Sequence, residues 1–156
     1  RPQGWKRKLF SRCRMYPISM EFTYTIELEP QYRDLDPNGH VNQAVYSSYC
    51  EQARTKYWEE IIGQRHDRAD VALVRSEFEF SAEITLGQTV TVHQRIGELG
   101  GSSIPIDYEI RTDGQTAATG SVVLLSYDID AKKAAPIPDE WRDAIVEYEG
   151  HDGGTE

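Results

Sequence analysis

The hydrophobic and polar residues of this chain follow two different periods. From Glu21 to Glu29 every second residue is apolar, which predicts a half-buried β-strand. From Asn42 to Gly63 the apolar residues recur every three or four positions, which predicts an amphipathic helix with Asn42 as N-cap and Gly63 as C-cap. At a rise of about 1.5 Å per residue this helix is about 30 Å long, enough to cross a whole sheet.

After this helix the strand period returns. We expect four further strands, over residues 71–82, 89–96, 103–111 and 116–128. The pair Asp113 and Gly114 is typical of a hairpin turn before the last of them. That last strand is apolar on both faces, which predicts a position inside the sheet rather than at its edge. A helical period over residues 138–148 predicts a short C-terminal helix.

The elements thus follow one another as one strand, one long helix, four strands and a short helix. A long amphipathic helix must bury its apolar stripe, and the sheet is the only large apolar surface available to it. The sequence therefore predicts an α+β fold in which a curved five-stranded antiparallel sheet wraps around one long central helix. We assign this domain to residues 20–150, with a basic extension over 1–19 outside the fold and a tail over 151–156.

Charge is distributed unevenly along the 156 residues. The segment 1–14 has no acidic side chain and holds the basic residues Arg1, Lys6, Arg7, Lys8, Arg12 and Arg14. Since the chain has 17 bases against 26 acids, the predicted domain is strongly acidic, which disfavours binding to nucleic acid or to an anionic membrane. Neither a long apolar run nor a signal-peptide pattern occurs, so we expect a cytoplasmic protein. The scarcity of lysine makes a halophilic source one interpretation.

One loop concentrates the residues that suit chemistry. Residues 32–42 hold both asparagines of the chain, two carboxylates and a histidine, namely Asn38, Asn42, Asp34, Asp36 and His40. The loop precedes the predicted helix, whose free backbone N–H groups and positive dipole end favour an anion. A carboxylate beside such donors suits acyl transfer, because it can attack a carbonyl or deprotonate water while the donors stabilise the oxyanion.

The same loop matches a sequence motif. Residues 32–42 fit the pattern Y-x-D-x-D-x-x-G-H-V-N without a gap, and A-V-Y and E-Q-A-R follow on the predicted helix. In this motif the chain resembles the hotdog-fold acyl-CoA thioesterases of the 4-hydroxybenzoyl-CoA thioesterase type. The resemblance implies hydrolysis of an acyl-CoA substrate by a homodimer or homotetramer whose sheets join edge to edge, with active sites between subunits. No HExxH, CxxC, P-loop or GxGxxG motif occurs, so we expect neither a metal nor another cofactor.

The resemblance also implies roles for individual residues. Asp36 matches the catalytic carboxylate of the family, as a nucleophile or as the general base for water. The backbone N–H of Gln43 matches the group that polarises the thioester carbonyl. His40 and Asn42 match polar positions that shape the catalytic site.

Further residues complete the expected substrate site. Tyr32, Gly39 and Val41 belong to the motif and are expected beside the substrate, where Tyr32 gives support rather than chemistry. Asp34 also belongs to the motif and is assigned a supporting role. Arg75 could meet a phosphate of CoA or pair with a neighbouring acid.

Several alternatives stay open at this point. Residues 36–39 also fit an ordinary turn, in which the aspartate accepts backbone N–H groups and the glycine adopts a positive φ. A helix-borne acid, Glu51 or Glu59, could be the catalytic carboxylate, although both rank below Asp36. Because a fold does not fix a function, the domain could also be an acyl-CoA-binding or regulatory module without turnover, or a hydratase with a differently placed Asp/His dyad.

Overall fold

The computed structural model describes residues 21–64 and 70–151. The strands are β1 (Tyr24–Leu28), β2 (Val71–Phe80), β3 (Val90–Ile96), β4 (Ser103–Thr112), β5 (Gln115–Asp128) and β6 (Lys133–Ala134). All neighbours are antiparallel, in the order β1-β3-β4-β5-β2, and the short β6 pairs with the end of β5. The predicted extension over 1–19 and the tail beyond 151 lie outside the described residues.

Two helices accompany this sheet. Helix α1 (Gln43–Tyr57) continues into a π-helical turn (Trp58–Ile62) and ends at Gly63, whose φ is +82°. Helix α2 (Asp139–Glu149) packs against the π-helical turn and β3. Both predicted caps of the long helix are confirmed, since Oδ1 of Asn42 accepts the N–H of Ala44 at 3.0 Å. Neither helix of the described chain has the length and apolar character needed to cross a membrane.

The predicted hotdog architecture is confirmed: one curled antiparallel sheet holds a long helix, with a short C-terminal helix beside it. β5 lies inside the sheet between β4 and β2, as its two apolar faces predict. The predicted strand boundaries agree with the structure within two residues, except at the start of β1. Two short elements have no periodic pattern and were not predicted, namely β6 and a 3₁₀ turn over Tyr32–Asp34.

The core lies between α1 and the inner face of the sheet. Strands β3 and β4 alternate between buried and half-buried residues, and the inner positions of β3 are Val90, Val92, Gln94 and Ile96. The aromatic stripe of the helix is core, as its period predicts, and it consists of Tyr46, Tyr49, Tyr57 and Trp58. Burial of this stripe fixes the axis of α1 and with it the position of the helix N-terminus, where the motif loop ends.

Candidate active site

The motif loop closes on itself between β1 and α1. The backbone N–H of Asp36 donates to the carbonyl oxygen of His40 at 2.7 Å, and that of Asn42 donates to the carbonyl oxygen of Asp34 at 2.8 Å. The two halves of the motif therefore run side by side as a short hairpin. This pairing holds Asp36 near the tip and delivers the chain directly into α1.

One oxygen of the Asp36 carboxylate holds the tip of this hairpin. Oδ1 of Asp36 accepts the backbone N–H groups of Asn38 at 2.8 Å and of His40 at 3.2 Å. Gly39 has a φ of +80°. The ordinary turn that the sequence left open is thus present, but it uses only Oδ1. Within the described chain, no hydrogen-bond donor is bound to Oδ2 of Asp36, so this oxygen is available for chemistry.

The N-terminus of α1 follows the hairpin and presents an unused backbone donor. Asn42 caps the helix twice, because its side chain accepts from Ala44 and its carbonyl oxygen accepts the N–H of Val45 at 2.8 Å. The backbone N–H of Gln43, which follows Asn42 directly, has no acceptor among the residues that the structure describes. A free N–H at the positive end of a helix is a suitable donor for a developing oxyanion.

Asp34 braces the loop against α1. Its Oδ2 accepts the backbone N–H of Gln31 at 2.8 Å and the hydroxyl of Tyr49 at 2.9 Å. Burial, and then the hydrogen bond to Asp34, raise the pKa of Tyr49, so the phenol stays protonated and remains a donor. These bonds are the contacts that a supporting residue would make.

The segment after β2 is bonded to the other side of the loop. The N–H of Val41 donates to the carbonyl oxygen of Ile84 at 2.8 Å, and His40 forms an isolated bridge with Thr85. Nε2 of His40 lies 3.2 Å from Oε2 of Glu83. The sequence did not identify Glu83, because it is one of 26 acids and no spacing connects it with the motif.

The residues expected beside the substrate have different surroundings. Tyr32 is 83% exposed in the 3₁₀ turn, Gly39 is exposed at the hairpin tip, and Val41 is buried in the core. Arg75 lies on β2, where its guanidinium is 3.3 Å from Glu77, the second of the two roles that the sequence left open for it. Tyr32, Gly39 and Val41 thus lie together in the motif loop, whereas Arg75 does not. The substrate contacts of all four residues stay predictions.

Neither helix-borne acid lies in the loop. Glu51 is exposed eight residues after Gln43, about 12 Å along the helix at 1.5 Å per residue. Glu59 lies 3.8 Å from Lys56, on the π-helical turn. As for metals, within residues 21–64 and 70–151 no three His, Cys, Asp or Glu side chains are grouped so that they could hold an ion.

Solved structures with the same architecture cover 80–85% of this chain. A thioesterase from Thermus thermophilus, complexed with coenzyme A and Zn, is 34% identical with a TM-score of 0.77, over 85% of this chain and 98% of that one. A predicted thioesterase from Bacillus stearothermophilus is 26% identical with a TM-score of 0.74, over 80% and 95% of the two chains. A 1,4-dihydroxy-2-naphthoyl-CoA thioesterase from Synechocystis, at 23% identity and a TM-score of 0.73 over 80% and 96%, shows the fold alone.

The two sequence comparisons differ in outcome. A search of curated proteins found no match. The family model described as the thioesterase-like superfamily matches residues 30–145, which include the motif loop, the central helix and all of the sheet beyond β1. This chain belongs to the thioesterase-like superfamily.

Proposed function

We propose that this chain hydrolyses acyl-CoA thioesters to a carboxylic acid and free CoA, as enzymes of the 4-hydroxybenzoyl-CoA thioesterase type do. One observation carries the proposal: a single closed loop holds Oδ2 of Asp36 and ends at the backbone N–H of Gln43, and neither group has a hydrogen-bond partner among the residues that the structure describes. Membership of the thioesterase-like superfamily supports it, as does the 34% identical thioesterase that was crystallised with coenzyme A.

The chemistry follows from these two groups. The N–H of Gln43 donates to the thioester carbonyl oxygen, on which negative charge develops. As a nucleophile, Oδ2 of Asp36 bonds to the acyl carbon, the CoA thiolate leaves, and water then hydrolyses the mixed anhydride. As a general base, Asp36 instead takes a proton from water, whose oxygen attacks the acyl carbon, and the departing thiolate takes up that proton. Both routes yield one carboxylic acid and one CoA.

The other predicted catalytic residues position these two groups. Asn42 caps α1 and thereby fixes the direction in which the N–H of Gln43 points. The backbone N–H of His40 helps to hold Oδ1 of Asp36, while its imidazole lies against Glu83. We assign Asn42 and His40 to shaping the site rather than to bond making.

The same proposal includes a homodimer joined along β2. In the described chain β2 pairs on one side only, with β5, so its other edge is open. Leu73, Val74 and Phe80 on this strand are 49%, 55% and 48% exposed, whereas β1, the other edge strand, has no large hydrophobic residue exposed to that extent. A long edge strand with exposed apolar side chains favours pairing with a second chain.

The decisive experiment measures thiol release from short, long and aromatic acyl-CoAs by the full chain. Asp36→Asn keeps an oxygen that can accept the turn hydrogen bonds but is a poor base and nucleophile, so we expect kcat to fall about 100- to 10,000-fold with an unchanged melting temperature. Glu27→Gln, on the exposed edge strand β1, removes the same charge and is expected to have no effect. If Asp36→Asn retains turnover while Glu51→Gln loses it, the helix-borne acid is the catalytic one.

A non-catalytic acyl-CoA-binding module is the second candidate. It is favoured by the two hydrogen bonds that Oδ1 of Asp36 accepts, because an aspartate that only shapes a turn makes the same bonds. Titration calorimetry with the same acyl-CoAs distinguishes the two functions. Tight binding by a wild-type chain that releases no thiol from any member of the panel would establish the module and exclude the enzyme.

A further inference from the structure

A groove of about 280 Å³ lies between α1 and the strands β2 and β5. Thr55 and Trp58 from the helix, and Val71, Leu73 and Leu124 from the strands, form a largely apolar lining. This volume is near the lower end of the roughly 300–1,000 Å³ typical of small-molecule sites. The groove is therefore large enough for part of a substrate, and its walls suit a hydrocarbon chain.

Trp58 lies at the base of this lining. Its side chain is almost completely buried, yet its Nε1–H has no hydrogen-bond partner in the described part of the chain. The indole nitrogen can only donate, and buried donors in folded proteins are nearly always paired. The nitrogen itself is shielded from solvent, so Trp58 contributes its ring, and not this donor, to the wall of the groove.

Arg54, one helical turn before Trp58, provides a charge in the same lining. Its guanidinium is half-buried and donates from Nη1 to the hydroxyl of Tyr108 at 3.3 Å. No carboxylate of a described residue lies within 4 Å of this guanidinium, including that of Glu51 at the exposed rim of the groove. Since the whole chain has a net charge of −9, a half-buried cation with no acidic partner among the described residues indicates an anionic ligand.

We propose that this groove binds the far end of the acyl group and that this end carries a carboxylate, so that the preferred substrates are CoA thioesters of dicarboxylic acids. The inference rests on the proposed thioesterase function. The carboxylate pairs with the guanidinium of Arg54. The methylene groups between the two ends of the acyl chain contact Val71, Leu73 and Leu124.

The distance between the groove and the N-terminus of α1 decides which acyl groups are long enough to reach both. Arg54 lies 11 residues after Gln43, about 16 Å along the helix at 1.5 Å per residue, so only a long acyl group spans both within one chain. The groove also opens beside the β2 edge, where the proposed homodimer adds a second chain. A shorter acyl group suffices if its thioester is held by the loop of that second chain.

The test compares acyl-CoAs that differ only in the terminal carboxylate: succinyl with butyryl, adipoyl with hexanoyl, and dodecanedioyl with dodecanoyl. For at least one length we expect wild-type kcat/KM to favour the carboxylate-bearing substrate about 10- to 100-fold, the usual effect of hydrogen bonds to a charged group. Arg54→Met is expected to remove this preference. Lys56→Met removes a cation from the same helix outside the groove and serves as the matched control.

Binding of the same pairs to the Asp36→Asn variant, measured by titration calorimetry, tests the inference independently of turnover. A wild-type chain that hydrolyses none of these thioesters refutes the proposed function, and the calorimetry then still decides whether the carboxylate is recognised. Equal rates and equal affinities within every pair overturn the inference. It is also overturned if Arg54→Met weakens the oligomer in light scattering without changing the preference, because a second copy of the chain then occupies the groove.

Discussion

The hydroxyl of Tyr57 on α1 donates a hydrogen bond to Oε1 of Glu149, the last residue of α2, at 3.0 Å. The same carboxylate accepts the backbone N–H of Ile96 at 3.2 Å and the hydroxyl of Thr23 at 2.7 Å. Burial and the neighbouring charge of Glu149 raise the pKa of Tyr57, so its phenol remains a donor. One side chain thus joins both helices to β3 and to the residue preceding β1.

Glu149→Ala is expected to lower the free energy of unfolding by about 3 kcal/mol, because it leaves three donors without their charged acceptor. Tyr57→Phe removes one of these bonds and is expected to cost about 1 kcal/mol. Urea unfolding measures both changes. Glu147→Ala replaces an exposed acid on the same helix and is the matched control. Equal losses of unfolding free energy for Glu147→Ala and Glu149→Ala would show that the hydrogen bonds of the Glu149 carboxylate do not stabilise the fold.

Local patterns in the sequence predicted the main elements of this fold for a physical reason. Burial imposes a period of two on strands and of 3.6 on helices, and caps such as Asn42 and Gly63 act on backbone groups only a few residues away. The bonds of Glu149 leave no such pattern, since Thr23 lies 126 residues before it. Gln94 is a polar residue at an inner strand position, where the period alone predicts an apolar one.

The candidate site likewise has one part that could be predicted from the sequence and one part that could not. The loop over residues 32–42 is continuous in sequence, so its motif, its turn and its helix start could all be predicted. Glu83 comes to His40 only because the segment after β2 pairs with the loop. The groove around Arg54 and Trp58 exists only where α1 crosses two strands that follow it in the chain. Such contacts depend on tertiary packing, which one sequence does not reveal.

Gln94→Met is expected to stabilise the protein. Gln94 is completely buried between Tyr24 and Tyr108 on the inner face of the sheet, and neither amide atom has a hydrogen-bond partner in the described chain. Methionine has a similar volume and removes the cost of burying an unpaired amide, so the free energy of unfolding should rise by about 1–2 kcal/mol. Urea unfolding is the measurement. A loss of stability would instead indicate that an ordered internal water pairs with the amide.

His93 is expected to make stability depend on pH. Its Nδ1 lies 3.0 Å from Oγ1 of Thr25 and its Nε2 lies 3.3 Å from Oγ1 of Thr91. Burial lowers the pKa of His93 below the ordinary value of 6.5, so the unfolded chain binds the proton more tightly than the folded one. The contribution of the neutral ring is therefore complete above about pH 6.5 and is lost as the pH falls from there towards the lower pKa of the folded state.

Comparison with His93→Gln isolates this contribution from other titrating groups. The stability of wild type relative to the variant should decrease between pH 7.5 and pH 5.5, because glutamine does not titrate. Unfolding by urea at several pH values gives this difference directly. Parallel pH profiles for the two proteins would show that the folded and unfolded states bind the His93 proton equally well.

Gly39→Ala is expected to destabilise the motif loop through its backbone alone. Gly39 has a φ of +80°, and a Cβ added there would meet no atom within 4 Å. The left-handed conformation costs an L-residue about 1–2 kcal/mol, which should appear in the free energy of unfolding. Gly101→Ala is the matched control, since its site is equally open and its φ is not positive. It should be neutral or slightly stabilising.

Gly39→Asn separates the conformational role of this glycine from its expected place beside the substrate. Asparagine tolerates the left-handed region, so part of the lost stability should return. If turnover returns with it, Gly39 acts by shaping the turn in which Asn38 and His40 donate to Asp36. If stability returns but KM is higher than in the wild type, the added side chain obstructs the substrate. This result would agree with the place beside the substrate that the motif resemblance implies for Gly39. Equal stability losses for Gly39→Ala and Gly101→Ala would contradict the conformational role, because the turn that holds Asp36 would then need no glycine.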